Sequence, residues 1–175
     1  MTRRTLLIFA ASLAGTCALQ AQTNPLIAEA KAQYASVKTN FVKAAEKMPE
    51  EAYDFKPTPE MQSFGERMMH IAGQIRTCGT VKGEQKTFDA NKKSKADIVA
   101  SLKASFDECD AAWDGMTDAS AMEMMAGRGG QTSKIGTLIR NTNHDSELYG
   151  YICVYMRLKG VVPPSSEAGG MRGGR

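Results

Sequence analysis

Ile27, Ala30, Tyr34, Val37, Phe41, Ala44 and Met48 recur at alternating steps of three and four residues, a spacing that places them on one narrow stripe of an α-helix. The same step returns three more times. Phe64, Met68, Ile71, Ala72, Ile75 and Cys78 share a face after a start near Ser63. Val99, Leu102, Phe106, Cys109 and Trp113 follow Ser94-Lys95-Ala96-Asp97, which resembles a capping box. Ile135, Leu138, Ile139, Thr142, Ser146, Tyr149, Cys153 and Met156 line one side of a segment from about Ser133 to Leu158. Each stripe must be buried against another, and no segment alternates with period two for long enough to make a convincing strand. The expected fold class is therefore all-α, a four-helix bundle.

The connections carry equally legible signals. Thr23-Asn24-Pro25 reads as a helix start, with a capping side chain and proline at the first helical position, and Pro49 closes that helix. Residues 49–60 hold Pro49, Pro57 and Pro59 with Tyr53 and Phe55. They cannot form one helix, and their aromatics are expected to cap the end of the core. Residues 79–93 read as an exposed linker that could span roughly 50 Å when extended, so the next helix need not turn back. Residues 115–133 loosen again around Met116, Met122, Met124 and Met125. In the last helix, His144, Leu148, Tyr151 and Tyr155 lie nearly opposite the main stripe, which predicts a helix enclosed on two sides. It ends at Arg157, Lys159 and Gly160, with Pro163 and Pro164 beyond.

Composition narrows the setting. Thr2-Arg3-Arg4 followed by the apolar run Leu6 to Leu19 and by Ala18 and Ala21 has the anatomy of a secretory signal, too short for a spanning helix. Residues 1–21 are read as a cleaved signal peptide, 22–164 as the folded domain, and 165–175 as a disordered Gly/Arg-rich tail. The mature protein is expected in the periplasm or secreted. Thr16 before Cys17 and Leu13 four positions back fit a lipid-anchoring motif poorly. Losing Arg3 and Arg4 takes two positive charges from a formal net charge of only +3, so nothing supports nucleic-acid binding. Cys78, Cys109 and Cys153 remain, none in a CxxC spacing, and in an oxidising compartment one pair can be bridged.

Only two histidines are present, His70 and His144. Alone, His70 reads as a bundle-edge residue and His144 as a buried one bonded to a neighbouring helix. Held together with a carboxylate they would suit Zn, Fe, Mn or Ni; Glu147, Asp145 and Glu66 are the available carboxylates.

Two segments carry a resemblance. One runs from Glu50-Glu51-Ala52-Tyr53-Asp54-Phe55-Lys56-Pro57-Thr58-Pro59-Glu60-Met61 through Phe64-Gly65-Glu66 to His70-Ile71-Ala72. The other runs from Asn143-His144 through Tyr149-Gly150 and Tyr155 to Arg157-Leu158-Lys159-Gly160 and Val162-Pro163-Pro164. Together they resemble the DinB-like superfamily of small four-helix bundles. The resemblance implies an up-down-down-up topology and a divalent metal held by a histidine on the second helix and an HxxxH pair on the fourth. It also implies relatives that include thiol-dependent transferases and isomerases. His70 and His144 match two of those ligands, whereas Leu148 stands where the third is expected. The site residues are then His70 and His144, with Glu147 as a possible third ligand, and the domain either holds one divalent ion weakly or is metal-free. The leading reading is a binding or stress-associated protein with an unknown small-molecule ligand; the alternative is a metal-dependent transferase or hydrolase. A homodimer joined through the methionine-rich segment is a third reading. With helices two and three parallel, as the topology implies, Cys78 and Cys109 fall near matching ends and can form a disulfide, leaving Cys153 in the core.

Overall fold

Helix α1, Pro25–Lys47, buries Ile27, Tyr34, Phe41, Ala44 and Ala45 along the stripe its spacing predicts. The computed structural model describes residues 25–127 and 129–167. The proposed signal segment and residues 168–175 lie outside these. After α1 a short 3₁₀ turn, Glu50–Ala52, leads into a connection in which Tyr53 is 3% exposed and donates its hydroxyl to the Ala45 carbonyl at 2.6 Å. The aromatics of this connection do close one end of the core, since Tyr53 packs edge-on against Phe64 and Phe55 against Tyr155.

The second apolar stripe is divided between two helices, α2 (Phe64–Ala72) and α3 (Ile75–Lys82). Between them the backbone tightens into a 3₁₀ step, with Gly73 N–H bonding the His70 carbonyl and Gln74 N–H the Ile71 carbonyl. Helix α3 continues four residues beyond the expected linker boundary and stops at Gly83, whose φ of 81° is the left-handed conformation that favours glycine at a C-cap. Helix α4, Lys95–Asp114, is capped by Ser94 and buries Leu102, Phe106, Cys109 and Trp113 with Ile98. A single turn, α5 (Asp118–Ala121), then precedes an antiparallel hairpin. Its strands, β1 (Met124–Gly127) and β2 (Gly130–Ser133), pair Met124 with Ser133 and Gly127 with Gly130. The hairpin corrects the expectation of an irregular segment: each strand is four residues long, too short for alternation to register in the sequence.

Helix α6, Lys134–Leu158, closes the bundle. Its buried residues are Leu138, Thr142, Asp145, Leu148, Tyr149, Ile152, Tyr155 and Met156. The two-sided enclosure expected of it is only partial, because Tyr151 is 43% exposed and His144 also faces solvent. Tyr151 is covered instead by the Arg67 guanidinium, 5.1 Å from the ring centre. The chain stays ordered past Pro164 through a further 3₁₀ turn to Glu167. Ser165 there meets the Tyr149 hydroxyl, and Glu167 pairs with Lys47. Residues 165–167, expected to belong to the tail, are thus packed against the bundle.

Contacts fix the direction of every helix. Along α1 and α4, Tyr34 meets Asp110, Glu46 meets Lys103 and the Met48 carbonyl meets Lys95, so these helices are antiparallel. Along α2–α3 and α4, Gly65 approaches Ile98 while Cys78 is bonded to Cys109, so these are parallel. Along α1 and α6, Phe41 packs on Tyr149 and Lys47 reaches Val162, which is again parallel. Along α2–α3 and α6, Gln62 meets Tyr155, His70 meets His144 and Gln74 meets Asn141, which is antiparallel. The result is an up-down-down-up four-helix bundle. Its parallel middle pair explains why the connection from Gly83 to Ser94 must cross back along the bundle. Among the described residues, no helix is long and apolar enough to cross a membrane.

Candidate functional site

His70 sits in the last turn of α2, and the start of that helix is set firmly. Ser63 Oγ accepts from Glu66 N–H at 3.2 Å, while Ser63 N–H donates to Glu66 Oε2 at 2.6 Å, a reciprocal capping box. The backbone hydrogen bond from Ser63 also holds the Glu66 carboxyl below its ordinary pKa, aided by Lys56 at 3.5 Å. Glu66 is thereby committed to the cap.

The antiparallel packing of α2 on α6 brings His70 to His144. Their Nε2 atoms are 3.4 Å apart and their ring centres 5.3 Å. His144 is about half exposed, not buried as its row of neighbours suggested. On its other side, His144 Nδ1 lies 3.6 Å from Asp145 Oδ1, an electrostatic contact longer than a hydrogen bond. A carboxylate there favours the proton on Nδ1 and leaves the Nε2 lone pair facing His70. Asp145 itself is 1% exposed, and burial pushes its carboxyl up to about 6, against the opposing pull of His144. His70 is held below the ordinary histidine range, first by partial desolvation and then by the like charge His144 and Arg67 would present.

A polar chain continues behind the imidazoles. Asn141 Nδ2 donates to Gln74 Oε1 at 2.5 Å and reaches Asp145 Oδ2 at 3.5 Å. Gln74 Nε2 and Asp145 Oδ1 are buried without a hydrogen-bond partner among the described residues. These groups face a groove of about 1070 Å³. Its floor is α2, α3 and the first half of α6; its rim is the segment around Phe88 to Lys93 and the β1–β2 hairpin.

Zinc–nitrogen bonds of about 2.0–2.1 Å at a tetrahedral angle put two nitrogen ligands about 3.4 Å apart. The observed His70–His144 separation therefore suits two adjacent coordination positions. A third protein ligand is not supplied. Leu148, in the expected position, is buried and aliphatic, while Glu147 is exposed and does not line the groove. Among the described residues, no group of three His, Cys, Asp or Glu is placed to hold a metal ion. The donor set fits a divalent ion through two nitrogens, with the remaining positions open to water or ligand.

The sequence reading missed Gln74, Asn141 and the two arginines of the groove, Arg76 and Arg140. Asn141 and Asp145 stand four residues apart and so share one face of α6, a signal that was present. Gln74 had none, because its inward placement depends on the break after α2.

The DinB superfamily matches residues 33–151 of the chain. No curated protein matches it. Among solved structures, a DinB-like protein from Bacillus cereus superposes with a TM-score of 0.69 at 17% identity, covering 79% of this chain and 95% of its own. YfiT from Bacillus subtilis is described as "a probable metal-dependent hydrolase with an unusual four-helix bundle topology". It gives a TM-score of 0.64 at 12% identity, over 81% of this chain and 92% of its own. A mycothiol-dependent maleylpyruvate isomerase gives 0.51 at 12% identity, over 70% of this chain and 60% of its own. At these identities the likeness concerns the fold.

Proposed function

The chain belongs to the DinB superfamily, and on that premise we propose that it is an exported small-molecule-binding protein whose groove carries a reduced, two-histidine divalent-metal site. The observation that carries this reading is the 3.4 Å approach of His70 Nε2 and His144 Nε2 at the groove floor, with Asp145 behind His144. When bound, an ion such as Zn, Ni, Fe or Mn would supply a Lewis acid with open positions facing the groove. His70 and His144 would hold it, and Asp145 would orient His144. The depressed pKa of His70 keeps its imidazole neutral to lower pH than an ordinary histidine, so protons compete less with the ion. Export is supported by the Cys78–Cys109 disulfide, a bond suited to an oxidising compartment.

Metal-dependent transfer or hydrolysis is the second reading, favoured by the open positions a two-nitrogen site leaves. YfiT is described as a probable metal-dependent hydrolase, and the isomerase as mycothiol-dependent. The first reading is preferred because Leu148 removes one ligand.

The test is the metal content and affinity of the untagged protein, compared with His144→Ala and Leu148→His. About one equivalent in the wild type, lost in His144→Ala and held more tightly in Leu148→His, is the expected result. A wild type that takes up no ion while Leu148→His does would show that the scaffold persists and the native site has decayed, ending the metal reading.

A further inference from the structure

Two guanidinium groups line the same groove as the histidines, one from each wall. Arg76 rises from α3 with its guanidinium over the Phe88 ring, 5.7 Å from the centre. Arg140 rises from α6, immediately before Asn141, and donates to Thr132 Oγ1 at 2.8 Å. Among the described residues, neither arginine has a carboxylate within ion-pairing distance, whereas the groove's Glu66 is already engaged by Lys56 and by its cap. At the rim Lys93 adds further positive charge, while Lys92 is paired with Asp89 at 3.8 Å. Of the other carboxyls lining the groove, Asp145 is buried against His144 and Asp54 is exposed beside Tyr53.

Gln74, two residues before Arg76, is hydrogen-bonded to Asn141, the neighbour of Arg140. It is 6% exposed, lines the groove, and has an amide nitrogen without a hydrogen-bond partner among the described residues. A buried, unpaired N–H donor costs about 1–3 kcal/mol, and an acceptor oxygen brought into the groove would relieve it. Next to these donors the walls are apolar and aromatic, through Tyr53, Met69, Phe88 and Met125. Preset guanidinium groups without carboxylate partners, an uncommitted amide donor and aromatic walls make a definite chemical complement.

We propose that the groove binds a small organic anion, a carboxylate or sulfonate on an aromatic or apolar body. Arg76 and Arg140 receive the anionic head beside Gln74, and Phe88 and Met125 cover the body. Guanidinium suits this task because its planar donors match two oxygens of such a head at once. The volume of about 1070 Å³ is ample for such a ligand. The proposal goes beyond the metal reading and does not require an ion, so the two can fail separately.

The test uses two fluorescent probes of nearly the same ring system, anionic 8-anilinonaphthalene-1-sulfonate and neutral N-phenyl-1-naphthylamine, titrated into the full chain in chelator. The sulfonate should bind at least about tenfold more tightly, and the preference should shrink as salt is raised. Arg76→Gln and Arg140→Gln should each weaken the sulfonate several-fold and leave the neutral probe unchanged, with Arg→Lys restoring part of the loss. Both arginines are exposed, and unchanged thermal melting of the variants checks that they fold. Equal affinity for the two probes, or glutamine variants that bind the sulfonate like wild type, would overturn the proposal.

Discussion

Buried beside His144, the Asp145 carboxyl keeps its proton to about pH 6 in the folded protein, whereas in the unfolded chain it ionises near the ordinary aspartate value of about 3.9. Between those limits the native state holds more protons than the unfolded state, so this residue lowers stability as pH rises. A shift of about two units corresponds to roughly 3 kcal/mol at full ionisation. Asp145→Asn should therefore gain on the wild type by up to about 3 kcal/mol between pH 4 and pH 7, read from urea unfolding in chelator. A variant-minus-wild-type difference that stays flat over that range would mean the carboxyl ionises normally. The sequence offered Asp145 only as one carboxylate among three near the histidines. Beside it Asn141 bridges to Gln74 in the break between α2 and α3, a long-range contact that periodicity cannot carry. The histidines were different: their residue types announced them, and the antiparallel packing of α2 on α6 supplied the meeting.

At the level of elements, the parallel pair α3 and α4 is joined near its C-terminal ends by the Cys78–Cys109 disulfide. Beside it Glu108 binds both Lys82 and Lys86. The exposed ion pairs add little, and the covalent link is the larger contribution. With a sequence separation of 31, the chain-entropy treatment gives it about 3–4 kcal/mol. The double variant Cys78→Ser/Cys109→Ser should lose about 3–4 kcal/mol of unfolding free energy in urea, and a midpoint equal to wild type would show that the link contributes nothing. Helices were legible because their stripes run for several turns. The break at Gly73–Gln74 was not, since Ile75 and Cys78 continue the same stripe across it. The hairpin was hidden for a related reason: Met124–Gly127 and Gly130–Ser133 are defined by pairing with each other rather than by any pattern of their own.

Across the whole molecule, one aromatic centre ties three of the four bundle helices together. Phe41 of α1 is fully buried, with Phe106 of α4 at 6.3 Å and Tyr149 of α6 at 5.5 Å between ring centres. Phe41→Ala should cost about 3–5 kcal/mol, measured by urea unfolding, and should lower the midpoint seen by fluorescence and by circular dichroism equally. Midpoints that separate would show that the helices do not unfold as one unit. The global arrangement was readable in outline from residues such as Tyr34, Phe106 and Tyr149, because burial stripes and proline-bounded connections leave a bundle few alternatives.

The division of the groove between a helical floor and a looped rim has a consequence for how such a protein can diverge. Its imidazoles and guanidiniums rise from helices fixed by the core, whereas Phe88 to Lys93 and the hairpin stand on exposed backbone. Substitutions and length changes in the rim can therefore alter which molecules are admitted while leaving the floor chemistry and the fold untouched. Selectivity is free to drift on a scaffold that is not.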